Sequence, residues 1–284
     1  MKTFDKKNDD IAWCPGCGNF LILNILKEAL KELNLQVSST VLVSGIGQAA
    51  KMPQYINCNF FNGLHGRAIP AATGIKLANS SLNVIVTSGD GDIYGEGGNH
   101  LLHVMRRNPN ITVLVHDNMV YGLTKGQASP TNNPDYATKT QSEGSGLEAF
   151  NPIATAVAMN ASFVARAFCQ DNGQTKEIIK SAISHKGFSL VDIFQPCVVF
   201  NKVNTYRWFK ENTYYLEEEY VPNDRVKAFQ RAIETEKLPL GIFYKIEKPT
   251  FENSKMNRQK TIKPLYQQPI NKRKEIDAIL KQYL

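Results

Sequence analysis

Short β-branched apolar runs separated by helix-length stretches constrain this chain more than any other feature. They read STVLVSG (39–45), NVIVTSG (83–89), ITVLVHDN (111–118), SFVARA (162–167) and FSLVDIF (188–194). Between them lie RAIPAATGIKLANS, GNHLLHVMRR and QTKEIIKSAISH, with apolar positions at helical spacing. Strands that are apolar on both faces must be covered on both, and parallel neighbours need helix-length crossovers. The expected fold is therefore α/β, a doubly wound parallel sheet over residues 1–200. From Asn201 onward the chain turns aromatic and charged, as in TYRWFKENTYYLEEEY, and no further strong strand run is expected. Residues 201–284 read as a C-terminal extension that packs on the domain or on a partner subunit.

A length of 284 residues with 42% hydrophobic content is ample for one large core. No basic-plus-apolar leader opens the chain, and no apolar run approaches the ~18–20 residues a membrane span needs. The expectation is a soluble, cytoplasmic protein with no membrane partner. Five cysteines, an odd and sparse set, point to reduced thiols or metal ligands rather than a disulfide framework. The net charge of +7 is spread along the chain, with mild concentration in the terminal NKRKEIDAILKQYL. That pattern suits acidic partners or phosphorylated cofactors, and no nucleic-acid partner is expected.

In an open parallel sheet, ligands bind beyond the carboxyl ends of the strands. The unusual segments here all follow apolar runs: Gly45-Ile46-Gly47, Gly89-Asp90-Gly91-Asp92, Asp117-Asn118 and Gln195-Pro196-Cys197. Asp90 and Asn118, 28 positions apart, can place a carboxylate and an amide oxygen on one hard cation. Mg²⁺ favours such oxygens and bridges to phosphates. Gly89 and Gly91 let the backbone approach those phosphates, and amides near Asp92 can donate to them. Cys14-Pro-Gly-Cys17 is, by itself, a zinc half-site, a redox dithiol or half of an iron–sulfur site.

The spacing of GDG and the downstream Asn resembles the thiamine diphosphate motif. Four longer stretches, WCPGCGNF, LHGRAIPAATGIKLAN, GDGDIYGEGGNHLLHVMRRN and DNMVYGLTKGQASPT, resemble the β subunit of 2-oxoacid:ferredoxin oxidoreductases, over roughly residues 11–205. The resemblance implies thiamine diphosphate, Mg²⁺ and a 4Fe-4S cluster as cofactors. It implies that Asp90, Asn118 and the Val120 backbone carbonyl ligate Mg²⁺, and that Gly89, Gly91, Asp92, Gly122, Leu123 and Thr124 surround the diphosphate. Ile46, Gly47 and His65 are implied to lie against the cofactor. His65 and Lys125 are the catalytic candidates, with Lys125 facing the substrate carboxylate or the phosphates of coenzyme A. The same resemblance selects the cluster reading for the CxxC pair, with Cys14, Cys17 and Cys197 as ligands. Where the family carries a further cysteine directly after Gly-Ile-Gly, this chain has Gln48. Cys58 is the expected replacement, and Cys169 reads as a core residue.

The implied reaction joins a 2-oxoacid, pyruvate or 2-oxoglutarate, to coenzyme A with loss of CO₂ and transfer of electrons to ferredoxin. Thiamine chemistry also needs a pyrimidine-binding domain, and this chain has room for one α/β unit. An α subunit, or a fused α–γ subunit, is the implied partner. The competing reading is a non-redox thiamine enzyme without the cluster, which the Gln48 departure keeps open. A zinc-bearing nucleic-acid binder would leave GDGD and Asn118 unexplained.

Overall fold

The computed structural model describes residues 3–6, 10–138, 141–253, 264, 267, 276–277 and 280–282. Most of the basic terminal stretch, and much of the expected extension beyond Asn253, lies outside the described residues.

The chain runs α1 (Asn19–Glu32), β1 (Thr40–Ser44), β2 (Asn59–Asn62), α2 (Ala68–Ala78), β3 (Asn83–Gly89), α3 (Gly98–Arg107) and β4 (Thr112–Asp117). A small hairpin, β5 (Val120–Tyr121) and β6 (Gln127–Ala128), precedes α4 (Pro152–Ala158), β7 (Phe163–Phe168), α5 (Asn172–Ser184) and β8 (Ser189–Phe194). The last elements are α6 (Tyr206–Asn212), β9 (Thr213–Tyr215), α7 (Arg225–Ala232) and β10 (Leu238–Lys245). One eight-stranded sheet has the order β2-β1-β3-β4-β8-β7-β10-β9. It is parallel from β2 to β7; β10 pairs antiparallel with β7, and β9 parallel with β10.

The two-sided apolar strands behave as their composition requires. Val41, Val43, Val84, Val86, Val113 and Val115 face one core, closed by α2, α3, α4 and α7. Leu42, Ile85, Leu114, Val191 and Ile193 face the other, closed by α1, α5 and Phe209 of α6. Burying each such side chain stabilises the fold by about 1.5–3 kcal/mol, so neither face can be left uncovered.

All five strands anticipated from the apolar runs form. The segment after Asn201, expected to lack a strong strand, adds β9 and β10 to the same sheet. Pro239 and Gly241 disguise β10: proline normally marks an edge, and Gly241 sits at φ +136 beside a register shift between Ile242 and Tyr244. β2 is hidden for another reason. NFFN is an edge strand with all four residues exposed, so no burial pattern marks it.

The chain leaves β1 toward β2 at one edge and leaves β3 toward β4 in the opposite direction. The connection therefore switches sense between β1 and β3, which opens a crevice at their carboxyl ends, where such sheets bind ligands. Among the described residues no helix is long and apolar enough to cross a membrane.

Candidate functional site

A cleft opens at that switch point, lined by the loops that follow β1, β3 and β4. The loop after β1 contributes Ile46 and Gly47, and His65 comes from the turn before α2. The loop after β3 contributes Gly89, Asp90, Gly91 and Asp92; the segment after β4 contributes Asn118, Val120, Gly122, Leu123 and Thr124. Every residue expected to meet the cofactor, Lys125 excepted, lines this one cleft.

The loop after β3 continues into a π-helical turn, Gly91–Glu96, a wide turn common at functional sites. Asp92 is its anchor. One carboxylate oxygen accepts the backbone N–H groups of Ile46 at 3.0 Å and Gly66 at 2.7 Å; the other accepts the Ser88 hydroxyl at 2.7 Å. His65 Nδ1 lies 2.9 Å from the same carboxylate. Asp92 thus ties three loops together with its charge turned inward. A donated Nδ1–H leaves His65 Nε2 for the cleft. Gly91 has no room for a side chain, because a Cβ there would enter the Tyr121 ring. At Gly47, φ is +127 and a Cβ would point into empty space. That emptiness is the cradle a ligand would fill.

The segment after β4 turns through Met119 at φ +56. The Asn118 side-chain oxygen accepts the Val120 N–H at 3.0 Å, its amide donates to Gln195 Oε1 at 3.4 Å, and its backbone carbonyl accepts Asn201 Nδ2 at 3.1 Å. Behind it, Thr131 Oγ1 is 2.8 Å from both Asp90 Oδ2 and Asp117 Oδ1. One hydroxyl proton cannot satisfy two carboxylates. Asp192 lies close behind, paired with Arg166 at 3.0 Å and accepting Tyr94 Oη at 2.8 Å.

Burial pushes Asp90 up to about 6, with Asp192's charge adding to it, against the hydroxyls of Ser129 and Thr131. Burial and then the charges of Asp192 and Asp90 hold Asp117 well above the usual carboxylate range. Asp90, Asp117 and Asp192 are all buried, and the Arg166 guanidinium pairs with Asp192. A divalent cation at Asp90, with Asn118 Oδ1 and the Val120 carbonyl on the same wall, would supply the missing positive charge. The residues therefore fit Mg²⁺ carrying a diphosphate.

A second cleft adjoins the first. It is lined by Cys14, Cys17 and Cys197, with Trp13, Gln48 and Phe200 around them, and it shares Gln48, Asn118 and Gly122 with the cofactor cleft. Cys17 precedes α1, Cys197 follows β8, and Gln195 Nε2 donates to Cys17 Sγ at 3.6 Å. Burial, with Cys197 and Cys14 alongside, pushes the Cys17 thiol up to about 11. Three thiols facing one cleft repel one another as thiolates until a cationic centre joins them, and an iron–sulfur cluster is such a centre. Among the described residues no group of three or more His, Cys, Asp or Glu side chains is placed to hold a single metal ion, so the three cysteines suit only a larger centre that spans the cleft.

One expectation is corrected. Cys58 is not in this cleft: it precedes β2 at the amino end of the sheet, its thiol against the Leu42 backbone. β2 lies four strands from β8, roughly 19 Å at the usual strand spacing. The reason is topological, because Cys58 enters β2 on the edge opposite to that by which Cys197 leaves β8. Lys125 stands exposed in the hairpin, at φ +75, outside the cleft wall. Cys169 is fully buried, as expected of a core residue.

Sequence reasoning misses Tyr121, Thr131 and Asn201, and it singles out Gln195 only as a member of the loop bearing Cys197. Tyr121 and Thr131 lie within a stretch singled out for its resemblance, yet no local spacing gives them a role; only the fold brings them, with Asn201, against the loops after β3 and β4.

Residues 38–193 match the family model described as thiamine pyrophosphate enzyme, C-terminal TPP binding domain. Residues 197–260 match the model for the C-terminal part of the pyruvate ferredoxin oxidoreductase beta subunit. The chain is 44% identical over 246 residues to the β subunit of 2-oxoacid:ferredoxin oxidoreductase 2 of Aeropyrum pernix, covering 82% of this chain and 80% of that one. It is 35% identical to the 2-oxoglutarate synthase subunit KorB of Methanocaldococcus jannaschii, over 84% of this chain and 89% of that protein. A solved 2-oxoglutarate:ferredoxin oxidoreductase from Magnetococcus marinus, with 2-oxoglutarate, coenzyme A and succinyl-CoA bound, superposes with a TM-score of 0.89 at 34% identity, covering 98% of this chain and 94% of that one. A cleft built for thiamine diphosphate, on this fold and at these identities, makes the chain a member of the 2-oxoacid:ferredoxin oxidoreductase family, of the β-subunit type.

Proposed function

We propose that this chain is the cofactor-bearing subunit of a coenzyme A-dependent 2-oxoacid:ferredoxin oxidoreductase working in the cytoplasm. It converts a 2-oxoacid and coenzyme A to acyl-CoA and CO₂ and delivers two electrons to ferredoxin. The observation that carries this reading is the wall shared by the two clefts: Gln48, Asn118 and Gly122 border both the cofactor cradle and the cysteine set. Electrons released in one cleft would have only that shared wall to cross before an acceptor in the other. Of the candidate substrates we favour 2-oxoglutarate over pyruvate, on the names of the relatives from Methanocaldococcus jannaschii and Mycobacterium tuberculosis and on the bound 2-oxoglutarate in the Magnetococcus marinus structure.

Thiamine diphosphate, when bound, supplies an electron sink for decarboxylation. Asp90, Asn118 and the Val120 carbonyl would hold its Mg²⁺, while Gly89, Gly91, Gly122, Leu123 and Thr124 offer backbone to its phosphates. Asp92 positions the loops, Ile46 and Gly47 border the ring end, and His65 Nε2 holds or moves a proton there. Cys14, Cys17 and Cys197 would hold a 4Fe-4S cluster. Residues 1–200 carry these groups; the segment from 201 onward completes the sheet and, with the α subunit that supplies the pyrimidine-binding domain, covers the site. Lys125, exposed beside the cleft, is placed to meet a substrate or coenzyme A anion only in that complex.

The test is to purify the complex and follow viologen reduction with a panel of 2-oxoacids, with and without coenzyme A. Reduction that requires both 2-oxoglutarate and coenzyme A is the expected result. Turnover without an electron acceptor, or without coenzyme A, would replace this reading with a non-redox thiamine enzyme.

A further inference from the structure

Three thiols line the cysteine cleft. A 4Fe-4S cube presents four irons, each normally held by a thiolate. Cys14, Cys17 and Cys197 account for three corners; of the other polar side chains on the cleft wall, Asn19, Asn118 and Gln195 already hold hydrogen bonds within the fold, which leaves Gln48. Its backbone is fixed, with the Trp13 indole donating to the Gln48 carbonyl at 2.8 Å. Its side-chain oxygen is buried without a hydrogen-bond partner. A buried acceptor left unpaired is destabilising by about 1–3 kcal/mol unless some donor or Lewis acid meets it. Here the thing it borders is the cysteine cleft.

The other sulfurs are placed elsewhere. Cys58 lies at the amino end of the sheet against Leu42. Cys169 follows β7 near Cys17, yet it is fully buried, its thiol hydrogen-bonds the Tyr206 hydroxyl, and it does not line the cleft.

We propose that the fourth corner belongs to Gln48, so that the cluster is held by three thiolates and one of its irons takes oxygen, from the Gln48 amide or a water beside it, in place of sulfur. This rests on the reading that the three cysteines hold a cluster. The oxygen-bound iron is the least tightly held and the exchangeable one. Mild oxidation removes it: [4Fe-4S]²⁺ gives [3Fe-4S]⁺, one Fe²⁺ and one electron, which passes to the added oxidant. Added ferrous iron and one electron from a reductant restore the cube. The iron that leaves is the one facing the cofactor cleft, because Gln48 lies in the shared wall.

The assembled complex is prepared anaerobically as wild type, Gln48→Cys, Cys169→Ser and Cys17→Ser, and each is titrated with ferricyanide while iron content and EPR are recorded. Wild type should lose one iron in four from this cluster and develop the EPR signal of an oxidised three-iron cluster. Q48C should keep all four irons. Restoring wild type with isotopically labelled ferrous iron should place the label at one site by Mössbauer spectroscopy, a readout that needs no variant to fold. A wild-type cluster that keeps four irons under ferricyanide overturns the proposal while leaving the cluster intact. If that resistance disappears in C169S, the fourth corner is Cys169. A wild-type complex whose iron and spectrum match those of C17S carries no cluster here, and the underlying reading fails with it.

Discussion

Asp90 illustrates how a residue acquires a role from its surroundings. As one letter in GDGD it is an ordinary turn aspartate; in the fold it is buried, shares the Thr131 hydroxyl with Asp117 and is pushed up to about 6. Gln195 is the complementary case, a neutral residue whose amide group joins the two clefts. It donates to Cys17 Sγ at 3.6 Å and accepts from Asn118 at 3.4 Å. A donor on a cluster sulfur stabilises the more negative, reduced state. On the proposed reading that the cysteines hold a cluster, Gln195→Leu is expected to move its potential downward by tens of millivolts, the scale of a ~1 kcal/mol hydrogen bond for one electron. An EPR-monitored redox titration reads it; an unchanged potential would show that the amide does not act on the cluster. Asp90, Asn118 and the CxxC pair are legible in the sequence because their chemistry is tied to local spacing. The roles of Thr131 and Gln195 are not, because their partners lie 41 and 178 positions away.

At the scale of elements, the π-helical turn after β3 and the hairpin after β4 fit each other through two glycines with opposite duties. A Cβ at Gly91 would enter the Tyr121 ring, whereas at Gly122 it would meet nothing within 4 Å. Gly91→Ala should lower stability by about 1–3 kcal/mol through overpacking, seen as a fall in Tm. Gly122→Ala should leave Tm nearly unchanged and weaken cofactor uptake, because its methyl group enters the cleft. The reverse pattern would mean that the two loops are not packed as described. The parallel strands are legible because two-sided burial writes itself as continuous β-branched runs. β2, β9 and β10 are not: one is exposed, one is three residues long, and the third carries Pro239 and Gly241.

Across the whole molecule, His185 should make the fold acid-sensitive just before the amino end of the central strand β8, away from the cofactor cleft. Burial, with Lys245 beside it and only partly opposed by Glu247, pulls His185 down to about 4 from its ordinary 6.5. The unfolded chain binds a proton there more readily than the folded one, so stability is complete above about pH 6.5 and is lost progressively toward pH 4. The difference in Tm between wild type and His185→Gln should follow that window, since the raised Asp90 and Asp117 act in the opposite direction and are common to both proteins; a difference that does not change with pH would remove His185 as a cause. The carboxyl ends of β3 and β4 carry the central claim, that Asp90 and Asn118 hold a magnesium-bound thiamine diphosphate. The most direct measurement is calorimetric titration of thiamine diphosphate with Mg²⁺ into the purified complex, wild type against Asp90→Asn. The substitution removes one of three crowded buried carboxylates, so folding should survive it. The expected result is saturable binding by wild type and a loss of affinity of about 10–100-fold or more in the variant. Equal binding by the two proteins would contradict the assignment of this cleft.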